Sequence, residues 1–130
     1  MTAAIYADGA ARFGGSLNAN DAKITLNADG TAVFNGSITT PEQTVTSIAF
    51  DLSAGPFWVI PGSFDVPNPT NAVPGMSGLI RFTAAPTSWG SAFQFAGGTP
   101  VAPTKLPAVS PFYVQASGSV YVGPAVEELI

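Results

Sequence analysis

Cysteine and histidine are both absent from this chain of 130 residues. Without cysteine there is no disulfide framework, no thiolate metal site and no thiol nucleophile. Without histidine the commonest general base, metal ligand and triad member is missing too. Charge is scarce: 9% of residues are charged, against ~25% in ordinary soluble domains. The cations are Arg12, Lys23, Arg81 and Lys105, scattered along the chain. No basic patch can neutralise phosphates, so nucleic acid is not an expected partner. No apolar run approaches the ~18 residues that suggest a membrane span. Met1-Thr2-Ala3-Ala4 lacks the basic start and apolar core of a signal peptide. Synthesis in a cytoplasm, without export by that route, is the expectation.

So few charges leave little to keep a lone monomer in solution. Much of the surface is therefore expected to lie against other protein, including copies of the chain itself; a neutral extracellular domain coated with Ser, Thr and Asn is the alternative. The length suits one domain with a short appendage. Alone, such a chain buries roughly two-thirds of its unfolded surface.

Twelve prolines and fourteen glycines punctuate the sequence. No segment carries a clean 3.6-residue apolar repeat, whereas short runs of β-branched and aromatic residues alternate with polar ones. The pattern predicts an all-β protein. Ala7–Leu17, ADGAARFGGSL, recurs 21 residues later as Ala28–Ile38, ADGTAVFNGSI. Each copy has an Asp-Gly turn, which predicts a two-residue hairpin with positive φ at both positions. Ile5-Tyr6 is expected to pair with Ala11–Phe13, and Ile24–Leu26 with Ala32–Phe34. A hairpin alone is marginal in water. Phe13, Leu17, Leu26, Phe34 and Ile38, together with Ile24, need another surface to bury them. Residues 1–40 are thus read as an assembly arm, and those five as its candidate interface.

Pro41 marks a boundary, and 41–130 reads as the main domain with a short C-terminal tail. Ile48, Phe50 and Leu52 alternate as in a strand, and Phe57–Ile60 is a short apolar run. Pro61–Pro74 and Gly97–Pro111 read as long connections. Leu79–Thr83 is the longest strand candidate. Phe93 and Phe95 share one face of another, and Phe112–Gln115 and Val120–Val122 close the domain. Arg81 lies inside an apolar run, so it must reach solvent or a carboxylate, with Asp51 or Asp65 the expected partner.

These residues carry a resemblance. The paired Ala-Asp-Gly-x-Ala-x-Phe-x-Gly-Ser units resemble the short repeats of bacteriophage tail-fibre proteins. The later set is similar to a β-rich domain near the ends of tail fibres and head spikes. It comprises Asn68–Val73, Ser77–Arg81, Trp89-Gly90, Phe93-x-Phe95-x-Gly97-Gly98-Thr99-x-x-x-Pro103 and Pro111–Val114. The resemblance implies an antiparallel, jelly-roll-like β-sandwich in a homotrimeric, non-enzymatic virion protein, a fibre or spike component assembling with other virion proteins of the capsid or tail. The chain is shorter than most fibres and lacks their long shaft. A capsid decoration or cement protein and a module binding a host-surface glycan are the alternatives.

Trp58, Trp89 and Tyr113 are the candidate ligand or interface aromatics, and core packing is the competing reading of the two tryptophans. Asp8, Asp21 and Asp29 stand apart from one another, and turn chemistry accounts for them better than calcium does. Asp51 and Asp65 have no substrate-shaped motif beside them, so catalysis is not expected. No cofactor or metal is expected.

Overall fold

The computed structural model describes residues 3–14, 23–35 and 39–127. The chain is all-β, and its backbone clusters into two compact units, Met1–Thr39 and Thr40–Ile130.

The first unit is a four-stranded antiparallel sheet in chain order. Its strands are β1 (Ala3–Ile5), β2 (Ala11–Phe13), β3 (Ile24–Leu26) and β4 (Ala32–Phe34). The two copies of the repeat close its two hairpins by one device. Tyr6 N–H donates to Ala10 C=O (2.8 Å) and Gly9 N–H to Tyr6 C=O (3.0 Å). Asn27 N–H donates to Thr31 C=O (2.8 Å) and Gly30 N–H to Asn27 C=O (3.1 Å). Gly9 and Gly30 have φ of 92° and 89°, and the aspartates before them keep negative φ. This is a three-residue loop, a turn followed by a left-handed glycine, and not the expected two-residue turn. The aspartates act through their side chains instead. Oδ1 of Asp8 accepts from Ala10 N–H (3.0 Å), and Oδ1 of Asp29 from Thr31 N–H (2.9 Å).

The second unit contains β5 (Gln43–Thr44), β6 (Phe57–Ile60), β7 (Asp65–Val66), β8 (Ser77–Phe82), β9 (Ser88–Trp89), β10 (Phe93–Phe95), β11 (Ala108–Val114), β12 (Val120–Val122) and β13 (Val126–Glu127). The main sheet runs β10-β12-β11-β8-β6-β5, and β7 pairs with β9 apart from it. Strand β13 joins the edge of β11 that β12 uses further along, at Ala108↔Glu127 and Val109↔Val126. The expected antiparallel sandwich therefore takes a mixed form. Pairs β5–β6, β6–β8, β10–β12 and β7–β9 are parallel. Parallel neighbours need crossovers. The proline-rich stretch from Pro61 is one of these, carrying β7 on its way from β6 to β8.

Alternation along the strands divides the main sheet into two faces. Trp58, Ile60, Ile80, Phe82, Phe93, Ala108, Phe112, Val114, Val120 and Val122 are buried. Val45, Phe50, Leu52 and Val66, from segments outside the main sheet, complete that core. The ring of Phe50 meets Trp58 edge-on at 4.7 Å and lies 5.9 Å from Phe93. The expected Ile48–Leu52 strand does not form. Thr46 N–H donates to Ala49 C=O (3.0 Å) in a turn that leaves Ile48 89% exposed, and Leu52 opens a short 3-10 turn. Asp51 stands before that turn and accepts from Ser53 N–H (3.0 Å), a capping role that competes with extended pairing.

Candidate assembly surfaces

Register decides what the first sheet presents. Ala3, Phe13, Ile24 and Phe34 lie opposite one another across the four strands, and so do Ile5, Ala11, Leu26 and Ala32. Side chains alternate between faces, so these two rows make one wholly apolar face. The row between them, Ala4, Arg12, Thr25 and Val33, belongs to the opposite face. There the Arg12 guanidinium sits 4.7 Å over the ring of Tyr6. On the apolar face Ile5 is 82% exposed, Phe34 48%, Leu26 42% and Phe13 38%. Phe13, Leu26 and Phe34 are thus brought together. Leu17 and Ile38 lie outside the described residues. Ile5 was missed as an interface residue, although it is Leu26 displaced by one repeat.

The second surface is the outer face of the main sheet. Phe57, Leu79, Tyr113 and Val126 are exposed there. Glu42, Phe57, Leu79, Arg81 and Val109 line a shallow groove of about 300 Å³. Arg81 is not paired with Asp51 or Asp65. Its Nε donates to Glu42 Oε2 (2.9 Å) and its Nη2 to Oε1 (2.7 Å), a two-point pair. The Arg81 hydrogen bonds hold the Glu42 carboxyl below its usual range. Glu42 lies 39 residues before Arg81, beside Pro41, where the sequence suggested only a boundary. The parallel β6–β8 pair and β5 at the edge bring the two within reach.

The three named aromatics have different fates. Trp58 is buried, its Nε1–H donating to Gly55 C=O (2.8 Å), so it offers no open ring. Trp89 is half-buried, with Nε1–H on Val101 C=O (2.8 Å) and edge contacts to Phe82, Phe93 and Phe95. Tyr113 is exposed on the outer sheet face beside Tyr121, ring centres 5.4 Å apart.

The carboxylates of the described aspartates are engaged in local structure. Asp51 also accepts from Ser53 Oγ–H (2.7 Å) and Asn71 Nδ2–H (2.9 Å), and the Asn71 bond leads in lowering its pKa. Asp65 accepts from Ser88 Oγ–H (2.6 Å) across the β7–β9 pair. The Thr31 hydroxyl and amide hold Asp29 below its usual range. Among the described residues no three acids gather as a metal site would require. Asp21 lies outside the described residues. No family model matches the sequence, and comparison with curated proteins and with solved structures gives no match.

Proposed function

We propose that the chain is a non-enzymatic structural component of a virion, a trimeric fibre or spike element that holds together by burying apolar sheet surface between copies. The virion setting rests on the motif resemblance alone. The assembly reading is carried by one observation: the apolar face holding Ile5, Phe13, Leu26 and Phe34 is exposed to solvent in the single chain. Among the described residues no second layer covers this face, and a β-structure gains independent stability from such a layer. Covering the exposed part contributes about 1.5–2.5 kcal/mol for Ile5 and about 0.5–1.5 kcal/mol for each of the others, which are already half-covered. Identical copies around an axis would cover the face with residues of the same kind and bring in no unpaired charge. The low charge of the chain fits this, since few ionic groups need desolvating on contact.

Native mass across a concentration series tests the reading. A trimer that persists on dilution is expected. A monomer at every concentration would remove the basis for self-assembly. Copy number per particle then separates a fibre from a capsid decoration protein.

A further inference from the structure

The 21-residue repeat has a geometric consequence for the edges of the first sheet. By repeat position, β1 corresponds to β3 and β2 to β4. Strand β2 pairs with β3 through Ala11↔Leu26, Arg12↔Thr25 and Phe13↔Ile24. Moved on by one repeat, that pairing joins β4 to another β1 through Ala32↔Ile5, Val33↔Ala4 and Phe34↔Ala3. Among the described residues β4 and β1 are the two edges of the sheet, each with one neighbour. We infer that β4 of one copy adds to β1 of the next in this register, making a sheet continuous from chain to chain. The inference deepens the self-assembly reading and rests on it.

The backbone groups agree. Asn35 N–H donates to Lys23 C=O and Asn27 N–H to Thr31 C=O, so residues 31 and 35 turn toward β3. By alternation Val33 does too, leaving the amides and carbonyls of Ala32 and Phe34 at the open edge. Tyr6 N–H donates to Ala10 C=O, which turns Tyr6 and Ala4 toward β2 and leaves Ala3 and Ile5 open. These four residues are the ones the transposed register requires to exchange hydrogen bonds. The apolar rows also run on unbroken, whereas a slip of one residue would send one chain's apolar side chains to the wrong face. Edge strands that must stay single usually carry charge, proline or a bulge. Ala3-Ala4-Ile5 and Ala32-Val33-Phe34 carry no charge and no proline, and all of β4 is exposed. Joining two different edges is a heterologous contact, which closes into a ring or runs on as a filament. Closure at three copies gives the proposed trimer.

The chain has no cysteine of its own, so introduced thiols report one contact. Ala4 and Val33 would form a non-hydrogen-bonded pair with Cα atoms ~4.5 Å apart, inside the ~4.4–6.8 Å that a disulfide spans. Within one chain β2 and β3 separate them by about 14 Å, too far to bridge. The full chain carrying Ala4→Cys and Val33→Cys, oxidised in its native state, is expected to lose its monomer band to a covalent ladder. A ladder that stops at trimer means a ring, and a longer one a filament; either requires the β4–β1 contact. Ala4→Cys with Ala32→Cys, on opposite faces, is expected to stay monomeric on a denaturing gel. An unlinked Ala4/Val33 pair in a protein of oligomeric native mass overturns the edge pairing and leaves self-assembly standing. A monomeric native mass overturns both. As a second readout, Ala32→Pro removes an open-edge amide without touching the bonds to β3 and is expected to abolish the native oligomer. Retention of the oligomer in that variant overturns the edge pairing.

Discussion

The two units share a turn and differ in what lies behind it. Gln115–Ser119, between β11 and β12, repeats the device of the N-terminal hairpins. Gln115 N–H donates to Ser119 C=O (2.8 Å), Gly118 N–H to Gln115 C=O (2.9 Å), and Gly118 has φ of 87°. Ser117 stands where Asp8 and Asp29 stand, and its Oγ takes the Ser119 N–H at a longer 3.4 Å. The same local chemistry therefore sets register in both places. Behind Gly118, Val114, Val120 and Val122 are buried beneath a second layer. Behind Gly30, every residue of β4 is exposed. A turn fixes which strands pair, but it supplies no second layer, and burial supplies most of the stability.

The comparison breaks first at the main core. Phe82→Ala is expected to cost about 3–5 kcal/mol, because Phe82 is fully buried and its loss leaves a cavity. Denaturant unfolding followed by tryptophan fluorescence reads this directly, since Trp58 and Trp89 both lie in that unit. A cost below that of a surface substitution would mean the inner face is not the core.

Phe34→Ser turns the test to the first unit. It is expected to leave main-unit unfolding unchanged while weakening association by about 1–1.5 kcal/mol per copy, since half of the ring is already covered. Sedimentation or light scattering on dilution measures the shift. An unaltered oligomer would place the interface elsewhere.

The shared turn allows a matched pair. A Cβ at Gly30 or Gly118 would meet nothing within 4 Å, so substitution acts through the backbone alone. Gly118→Ala is expected to lower main-unit stability by about 1–2 kcal/mol, the cost of a left-handed non-glycine residue. Gly30→Ala should carry a similar local cost that does not reach main-unit unfolding. Equal effects on that transition would show the two units unfold as one.

Among the described residues each unit buries one hydroxyl without a hydrogen-bond partner, Thr25 in the first and Ser110 in the second. Ser110→Ala is expected to raise main-unit stability by about 1 kcal/mol, because removing an unsatisfied polar group relieves its desolvation cost. A loss of stability would reveal a partner for that oxygen.

The smallest effect concerns acid. The Arg81 hydrogen bonds lower the Glu42 pKa, so the pair stabilises the fold at neutral pH. That contribution disappears as pH falls through the lowered value. Both side chains are about 40% exposed, so it is worth about 0.2–1 kcal/mol. Glu42→Gln should lower stability at pH 7 by that amount and flatten its fall below the glutamate range. A main-unit transition as acid-sensitive as the parent's would assign the sensitivity to Asp51, the other carboxyl of that unit held below its usual range.

Much of the short-range structure was legible in the residues. The repeat named both N-terminal hairpins and four residues of their apolar face, because strand alternation and glycine's freedom at positive φ act over a few bonds. The same rules located Phe57–Ile60 and Val120–Val122. They failed at Ile48, where period-two alternation alone suggested a strand. The Thr46–Ala49 turn and the Asp51 cap claimed the backbone instead. They also gave no side to Phe57 and Trp58 in a wholly apolar run, one of which is exposed and the other buried.

The sequence by itself determined an all-β chain with a repeated Asp-Gly hairpin, little charge, and neither cysteine nor histidine. Those properties follow from composition and from steric rules local to a few residues. Only the tertiary structure decided that β6 and β8 run parallel, that Glu42 receives Arg81 across 39 residues, and that Trp58 turns inward. It also decided that the apolar rows of the first sheet meet on one face. The first three depend on which distant segments become neighbours, set by common burial in the main core, and the last on the register of neighbouring strands.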